Sequence, residues 1–149
     1  MTDTLKSILE THVQFSPLFI IEKFVFDYGK EFEAAPRPKK YRRMTPKECF
    51  KNAYALRFED KLNYVEGYCC AKDFHLPILH AWCVEEGTNT VIDPTLQNPV
   101  NYLYYGVTIP QKLLLESVLK SRTYGVLDTG RGINMEFMKR YKESLKENL

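Results

Sequence analysis

The sequence predicts an α+β domain in which a cysteine-bearing helix precedes the strands of an antiparallel sheet, with further helices flanking this core. The clearest signal is Thr45-Pro46-Lys47-Glu48, which combines a Thr N-cap, Glu three residues later and Pro at the first helical position. It predicts a helix that runs to about Arg57. Glu86-Gly87-Thr88-Asn89 has the composition of a hairpin turn and predicts antiparallel pairing of the strands beside it. Three strand-like segments follow the helix, at residues 63–70, 79–85 and 90–92.

The segments outside this core are predicted to be mainly helical or irregular. Residues 4–12 show weak helical periodicity, whereas Phe24-Val25-Phe26 fits either a strand or the end of a helix. The proline-broken, basic stretch at 34–43 is predicted to be a loop. After Pro94 we expect irregular chain that contains an aromatic cluster. The cluster consists of Tyr102, Tyr104 and Tyr105.

Two more helices are predicted towards the end of the chain. The first begins near Pro110, and Gly125 marks the exit from it. Its apolar contacts come from Leu113, Leu114 and Val118. The second is a short amphipathic helix at about 134–146, after a glycine-rich turn.

Composition favours one domain over residues 1–149, with 44% hydrophobic and 13% aromatic residues to build its core. The formal net charge of +2 gives no global electrostatic reason to expect binding to nucleic acid or to an anionic membrane. No apolar run approaches the roughly 20 residues that span a bilayer. The first residues, 1–6, lack the basic and apolar regions of a secretory signal, so we expect a cytoplasmic protein.

The four cysteines are expected to be free thiols. They are Cys49, Cys69, Cys70 and Cys83. Without a secretory signal the chain is expected in a reducing compartment, where disulfides are rare. No C-x-x-C pair occurs, so we predict no metal and no cofactor. A metal site built from His75 or His80 with Cys69 or Cys70 is the alternative, but its spacing is poor.

Cys49 is the candidate nucleophile, because it falls in the first turn of the predicted helix. Free N–H groups and the positive end of the helix dipole favour an anion at that position. Thiolate is the nucleophilic form of cysteine, and a helix N-terminus is one of the environments that favour it. The alternative is a small buried hydrophobic residue on the inner face of the helix.

His80 and Asp93 are the candidate base and its orienting carboxylate. Taken singly, His80 in Leu79-His80-Ala81-Trp82 fits a satisfied core histidine, and Asp93 before Pro94 fits a turn opener. The predicted hairpin makes their strands neighbours, with the turn midway between the two residues. Asp93 would then hold one imidazole nitrogen and leave the other for a thiolate.

Four segments in order resemble the transglutaminase-like core of the papain superfamily. They are Glu48-Cys49-Phe50, the strand Asn63-Tyr64-Val65-Glu66-Gly67-Tyr68, His80-Ala81-Trp82-Cys83-Val84, and Val91-Ile92-Asp93-Pro94-Thr95. The resemblance covers about residues 45–95, roughly a third of the chain. It implies a papain-like fold whose catalytic residues are Cys49, His80 and Asp93.

The activity implied by the resemblance is attack of a Cys49 thiolate on an amide carbonyl, which gives a thioester. The family includes proteases, amidases, deamidases and protein cross-linkers, so a protein or peptide substrate is expected and the acyl acceptor stays open between water and an amine. It also includes inactive members, so a peptide- or protein-binding module of the same fold is the alternative. The oligomeric state is not predicted.

The resemblance is weaker at the oxyanion hole, because no Gln lies shortly upstream of Cys49. The backbone N–H of Cys49 is expected to be one donor, and Tyr41 is the candidate for the second. Trp82, Tyr104 and Tyr105 are further candidates for contact with substrate, although the tyrosines fit a core equally well. The basic run at 39–43 fits either a solvated loop or the approach of an acidic or phosphate-bearing substrate.

Overall fold

A computed structural model, which describes residues 5–15 and 19–147, has five α-helices and a four-stranded antiparallel sheet in its described part. The mixed α+β class predicted from the sequence is therefore confirmed. The helices are α1 (Leu5–Phe15), α2 (Ile20–Tyr28), α3 (Cys49–Asp60), α4 (Gln111–Ser121) and α5 (Met135–Glu147). The strands are β1 (Lys30–Phe32), β2 (Asn63–Ala71), β3 (Phe74–Val84) and β4 (Tyr102–Ile109).

The sheet has the strand order β1-β4-β2-β3, so β4 lies in its interior. The expectation of irregular chain after Pro94 is wrong for this segment. Tyr102–Ile109 is rich in the aromatic and β-branched residues that strands favour, and it pairs antiparallel with both β1 and β2. At the centre of the sheet, Gly67 of β2 lies opposite Gly106 of β4 and His80 of β3.

The third predicted strand, at 90–92, is present only as isolated bridges, which join the two edges of the sheet. Ile92 exchanges two backbone hydrogen bonds with Cys83 of β3, at 2.9 and 2.7 Å. On its other side, Thr90 bridges Glu33, the residue that follows β1. The sheet therefore curls around one of the two apolar clusters. That cluster contains Phe32, Val65, Cys69, Trp82, Val84, Val91 and Tyr104.

Helix α3 begins at Cys49, three residues later than the capping signal predicts, because that signal puts Pro46 at the first helical position. Lys47 has φ of +67°, a left-handed conformation that interrupts the helical path, so Pro46 and Lys47 form a turn. Glu48 occupies the N-cap position without a side-chain capping bond. The helix packs on β3, where the thiol of Cys83 donates to the carbonyl oxygen of Ala53 at 3.2 Å.

The other helices agree with the sequence predictions in part. Phe24-Val25-Phe26 lies in α2 and is helical rather than extended. Helix α4 follows Pro110 as predicted but ends before Arg122, which takes the left-handed conformation, and not at Gly125. Residues 34–43 are irregular, as expected, and α5 matches the predicted final helix. The predicted start of the first helix at Thr4 lies outside the described residues.

A buried carboxylate attaches the chain after α4 to the sheet. Glu66 of β2 is fully buried and accepts hydrogen bonds from the backbone N–H groups of Val126 and Leu127 and from the Tyr64 hydroxyl. Burial raises the pKa of Glu66 to about 7, although these hydrogen bonds lower it in part. Within the described part of the chain, no helix has both the length and the apolar character needed to cross a bilayer.

Gly106 makes room for the indole ring at the centre of the curled sheet. A Cβ atom at this position would lie 2.8 Å from Cη2 of Trp82 and 3.0 Å from the carbonyl oxygen of Glu66. We therefore expect Gly106→Ala to lower the free energy of unfolding by about 1–3 kcal/mol, measured by urea denaturation.

The Trp82→Phe background provides the control, because phenylalanine lacks the outer ring that the added methyl group would meet. In that background, Gly106→Ala should lower the free energy of unfolding by clearly less than it does in the wild type. An equal cost in both backgrounds would show that the indole ring does not impose the glycine.

Candidate active site

Cys49 lies at the first position of α3 and is partly exposed. Backbone N–H groups in the first turn of a helix have no intrahelical acceptor, and their partial positive charge favours an anion beside them. The late start of α3 thus places the sulfur closer to the helix end than the sequence signal predicted. It is also the most accessible of the four cysteines, since the other three are buried.

His80 and Asp93 form a buried pair. The Nε2 atom of His80 lies 2.8 Å from Oδ2 of Asp93, and the two residues are 5% and 0% exposed. The bridge between Cys83 and Ile92 explains the contact, because it holds the segment before Asp93 against β3. The contact between His80 and Asp93 predicted from the hairpin is therefore present.

Asp93 is surrounded by hydrogen-bond donors. Its Oδ1 accepts bonds from the backbone N–H groups of Thr95 and Leu96, at 2.8 and 3.1 Å. Its Oδ2 accepts a bond from the Tyr104 hydroxyl at 2.7 Å, in addition to the contact with His80. Burial by itself raises the pKa of this carboxyl, but the bonds from His80, Thr95 and Tyr104 together lower it below its usual value. Asp93 is therefore ionised at neutral pH.

The imidazole of His80 is held in its charged form. Burial lowers its pKa, but hydrogen bonds and charge interactions with Asp93 and Cys49 outweigh this effect and raise the pKa to about 9. Because Nε2 is used by Asp93, Nδ1 is the nitrogen left to interact with Cys49. A charged donor thus lies beside the sulfur, and such a donor stabilises a thiolate.

Asn52 ties the start of α3 to the loop that carries Asp93. It lies one turn after Cys49, is buried, and donates from Nδ2 to the carbonyl oxygen of Thr45 at 2.7 Å and to Oγ1 of Thr95 at 2.9 Å. The backbone N–H of Met44 also donates to the carbonyl oxygen of Pro94. Sequence reasoning missed Asn52, although its spacing of three residues from Cys49 puts both on one helix face.

Two arginines attach the basic loop to the same turn. Arg37 donates from Nη1 to the carbonyl oxygens of Asp93 and Leu96, at 3.1 and 2.9 Å. Arg43 donates from Nε to the carbonyl oxygen of Thr95 at 2.9 Å. These carbonyl oxygens lie in an irregular segment, where backbone acceptors need partners from outside a helix or sheet. The bonds from the two arginines therefore fix the path of the chain around Asp93.

The aromatic residues predicted to contact substrate have little exposed surface. Tyr41, Trp82, Tyr104 and Tyr105 are 8%, 0%, 2% and 3% exposed. Tyr104 supports Asp93 instead, and Tyr105 lies on the opposite face of the sheet, where its hydroxyl bonds to the carbonyl oxygens of Phe26 and Gly29. Their burial argues against a cleft wall in which these rings contact the substrate. The backbone N–H of Cys49 is then the remaining candidate for an oxyanion donor.

Trp82 packs directly behind the catalytic candidates. Its ring stacks on His80 with a centroid distance of 6.1 Å and meets Tyr104 edge-on at 4.9 Å. Its Nε1 is buried and has no hydrogen-bond partner among the residues described. The indole therefore acts as an apolar support that limits the orientations open to the imidazole and the phenol.

Two cavities in the described part of the chain are lined by residues other than Cys49, His80 and Asp93. A cavity of about 370 Å³ lies between α4, the segment 129–134 and α5, and another of about 450 Å³ lies between α2 and α5. Burial raises the pKa of the thiols of Cys69 and Cys83, so both are protonated at neutral pH. Over residues 5–15 and 19–147, no group of three or more His, Cys, Asp or Glu residues is arranged to hold a metal ion.

Comparisons with known protein families, curated proteins and solved structures gave no match for this chain. A functional conclusion therefore rests on the geometry of the site and on the resemblance in the sequence.

The raised pKa of His80 predicts a pH dependence of stability. Because the folded value of about 9 exceeds the unfolded value of about 6.5, the stabilisation by Asp93 is fully present below pH 6.5 and is lost as pH rises through 9. Relative to His80→Gln, the wild type should lose on the order of 3 kcal/mol of unfolding free energy across this range.

Urea denaturation between pH 6 and pH 10 measures this difference. Subtracting the His80→Gln curve removes the contribution of Glu66, which titrates near pH 7 in both proteins. Parallel curves for the two proteins would mean that the imidazole is not held charged by Asp93.

Proposed function

We propose that this protein is a cysteine-dependent acyl-transfer enzyme that attacks an amide carbonyl. The observations that carry the proposal are the hydrogen bond between Asp93 and His80 and the interaction of His80 with Cys49, which helps to raise the pKa of the histidine. Nucleophile, base and orienting carboxylate in this order are the elements of a thiol catalytic triad. The papain-like, transglutaminase-like identity of the core is part of the same proposal and rests on the sequence resemblance.

The reaction begins with addition of the Cys49 thiolate to the carbonyl carbon of the amide. When the tetrahedral intermediate collapses, the C–N bond breaks and His80 gives its proton to the departing amine, which leaves a thioester on Cys49. Neutral His80 then takes a proton from the incoming water or amine. Attack by that group cleaves the thioester and restores the thiolate beside a protonated imidazole.

Asp93 serves this cycle by holding the imidazole rather than by accepting its proton. Its four hydrogen-bond donors keep the carboxylate ionised and fixed, so His80 returns to the charged form after each transfer. The N–H of Cys49, at the open end of α3, is positioned to donate to the oxyanion that forms on the carbonyl oxygen.

A protein or peptide substrate and a cytoplasmic location complete the proposal. Polypeptides carry an amide carbonyl at every residue, which supports a protein or peptide substrate. A reducing compartment keeps an accessible thiol such as Cys49 available as a nucleophile, which supports the location.

The second candidate is a binding module of the same fold that has no catalytic activity. An exposed apolar stripe on β3 favours it. Phe74, Leu76 and Ile78 are 67%, 55% and 57% exposed and lie on the face of the strand that also carries His80. Exposed apolar patches commonly mark contacts with other proteins, so chemistry at Cys49 is needed to separate the two functions.

Alkylation by iodoacetamide near pH 6 tests the activated thiol. We expect Cys49 to react at least about tenfold faster than N-acetylcysteine, because a protonated histidine and a helix N-terminus both favour the nucleophilic form of a cysteine beside them. His80→Ala should reduce the rate towards that of the free thiol. Mass spectrometry of tryptic peptides gives the rate at each cysteine.

His75→Ala is the matched control, since His75 is an exposed histidine of the same strand and lies outside the site. Its rate should equal that of the wild type. If Cys49 reacts no faster than the free thiol, or if both histidine variants behave alike, the activated nucleophile is refuted.

Acylation by p-nitrophenyl acetate separates the enzyme from the binding module. The enzyme should release p-nitrophenol and carry an acetyl group on Cys49 that water or an added amine removes, whereas a binding module should give neither result. Asp93→Asn should slow acylation by more than about tenfold while leaving the fold intact by circular dichroism.

A further inference from the structure

A strongly basic segment leads into the candidate nucleophile. Of the fifteen residues from 37 to 51, seven are Lys or Arg and one, Glu48, is acidic, whereas the whole chain has a formal net charge of only +2. Most of the basic excess of this region is therefore balanced by acidic residues elsewhere in the chain. A local excess of this kind creates a positive potential at one place on the surface.

The segment is anchored to the site rather than free to move away from it. Arg37 and Arg43 bond to the carbonyl oxygens of the turn after Asp93, and Met44 bonds to Pro94. Tyr41 is buried in the larger apolar cluster, which holds the middle of the segment. The backbone between these anchors is therefore held against the turn that follows Asp93.

The cations of this segment are open to an incoming ligand. Six of the seven are exposed. For five of these six, no carboxylate among the described side chains forms a salt bridge. They are Lys39, Arg42, Arg43, Lys47 and Lys51. By contrast, the exposed cations Lys23 and Lys120 are paired with Asp27 and Glu136. Cations without a carboxylate partner gain more from an external anion than paired ones do.

Two of these cations flank the sulfur in the chain. Lys47 precedes Cys49 by two residues, and Lys51 follows it by two within the first turn of α3. Consecutive Cα atoms are about 3.8 Å apart, so the Cα atom of each lysine lies within about 7.6 Å of that of Cys49.

We propose that residues 37–51 form a docking surface for an acidic peptide segment, which presents the acyl donor to Cys49. This inference rests on the proposed function. It names a substrate class, a polypeptide with Asp or Glu residues close to the reacting amide. A peptide is favoured over a nucleic acid because the neighbouring residues are suited to attack on an amide carbonyl, which a polypeptide carries at every residue.

Binding of defined peptides to the full chain tests the docking surface. The probe is a fluorescein-labelled peptide of alternating Glu and Ser, about ten residues long, and its neutral counterpart has Gln in place of Glu. Fluorescence anisotropy is measured with the Cys49→Ala protein, so that binding does not depend on catalysis. We expect the Glu peptide to bind more tightly than the Gln peptide and to weaken as salt rises from about 50 to 300 mM.

Charge-reversed variants locate the surface. Arg42→Glu combined with Lys51→Glu should weaken binding of the Glu peptide by about tenfold or more, because two favourable charge contacts become repulsive. Lys139→Glu combined with Lys146→Glu, on exposed positions of α5, makes the same change in net charge and should alter binding less than about twofold. Thermal unfolding of both variants checks that each one folds.

Three results would overturn the proposal. They are equal binding of the Glu and Gln peptides, equal loss of binding in the two charge-reversed variants, and tighter binding of a single-stranded oligonucleotide that is lost in the first variant. The last result would assign the surface to nucleic acid. None of these results bears on the alkylation of Cys49. Failure of this inference can therefore be distinguished from failure of the acyl-transfer proposal.

Discussion

The hydrogen bond between His80 and Asp93 is the interaction on which the organisation of this molecule depends. A fully buried carboxylate is costly to desolvate unless its oxygens are bonded, and Asp93 meets that demand with four donors. These donors come from β3, from β4 and from the turn after Asp93 itself. The carboxylate thus joins three separate segments of the chain, and any change that displaces one of them leaves a buried charge underbonded.

The curled sheet behind this pair supplies the rigidity that the hydrogen bonds need. Trp82 fills the space between β3 and β4 and contacts both His80 and Tyr104. The indole fits only because Gly106 has no side chain at the point where the ring approaches the backbone of β4. The strand register, the missing side chain at Gly106 and the indole of Trp82 therefore act together. They hold the Tyr104 hydroxyl against Oδ2 of Asp93, the oxygen that also contacts His80.

The parts of this arrangement that are local in sequence could be predicted, and the parts that depend on distant pairing could not. The contact between His80 and Asp93 follows from a hairpin with a recognisable turn at 86–89. The partnership of Tyr104 with Asp93 requires β4 to insert between β1 and β2, and no signal at residues 102–109 specifies those neighbours. The sequence alone fits Tyr104 and Tyr105 to a cleft or to a core equally well. They are buried because the strand order places β4 in the interior of the sheet.

The start of α3 shows how a wrong boundary changed the chemistry. A helix beginning at Thr45 would place the N–H of Cys49 in an intrahelical hydrogen bond, since only the first four N–H groups of a helix lack such partners. The left-handed turn at Lys47 delays the helix to Cys49 and leaves that N–H open to an oxyanion. It also frees the carbonyl oxygen of Thr45 to accept the bond from Asn52, whose other bond reaches Thr95 beside Asp93. The departure from the capping signal therefore links the nucleophile to the carboxylate.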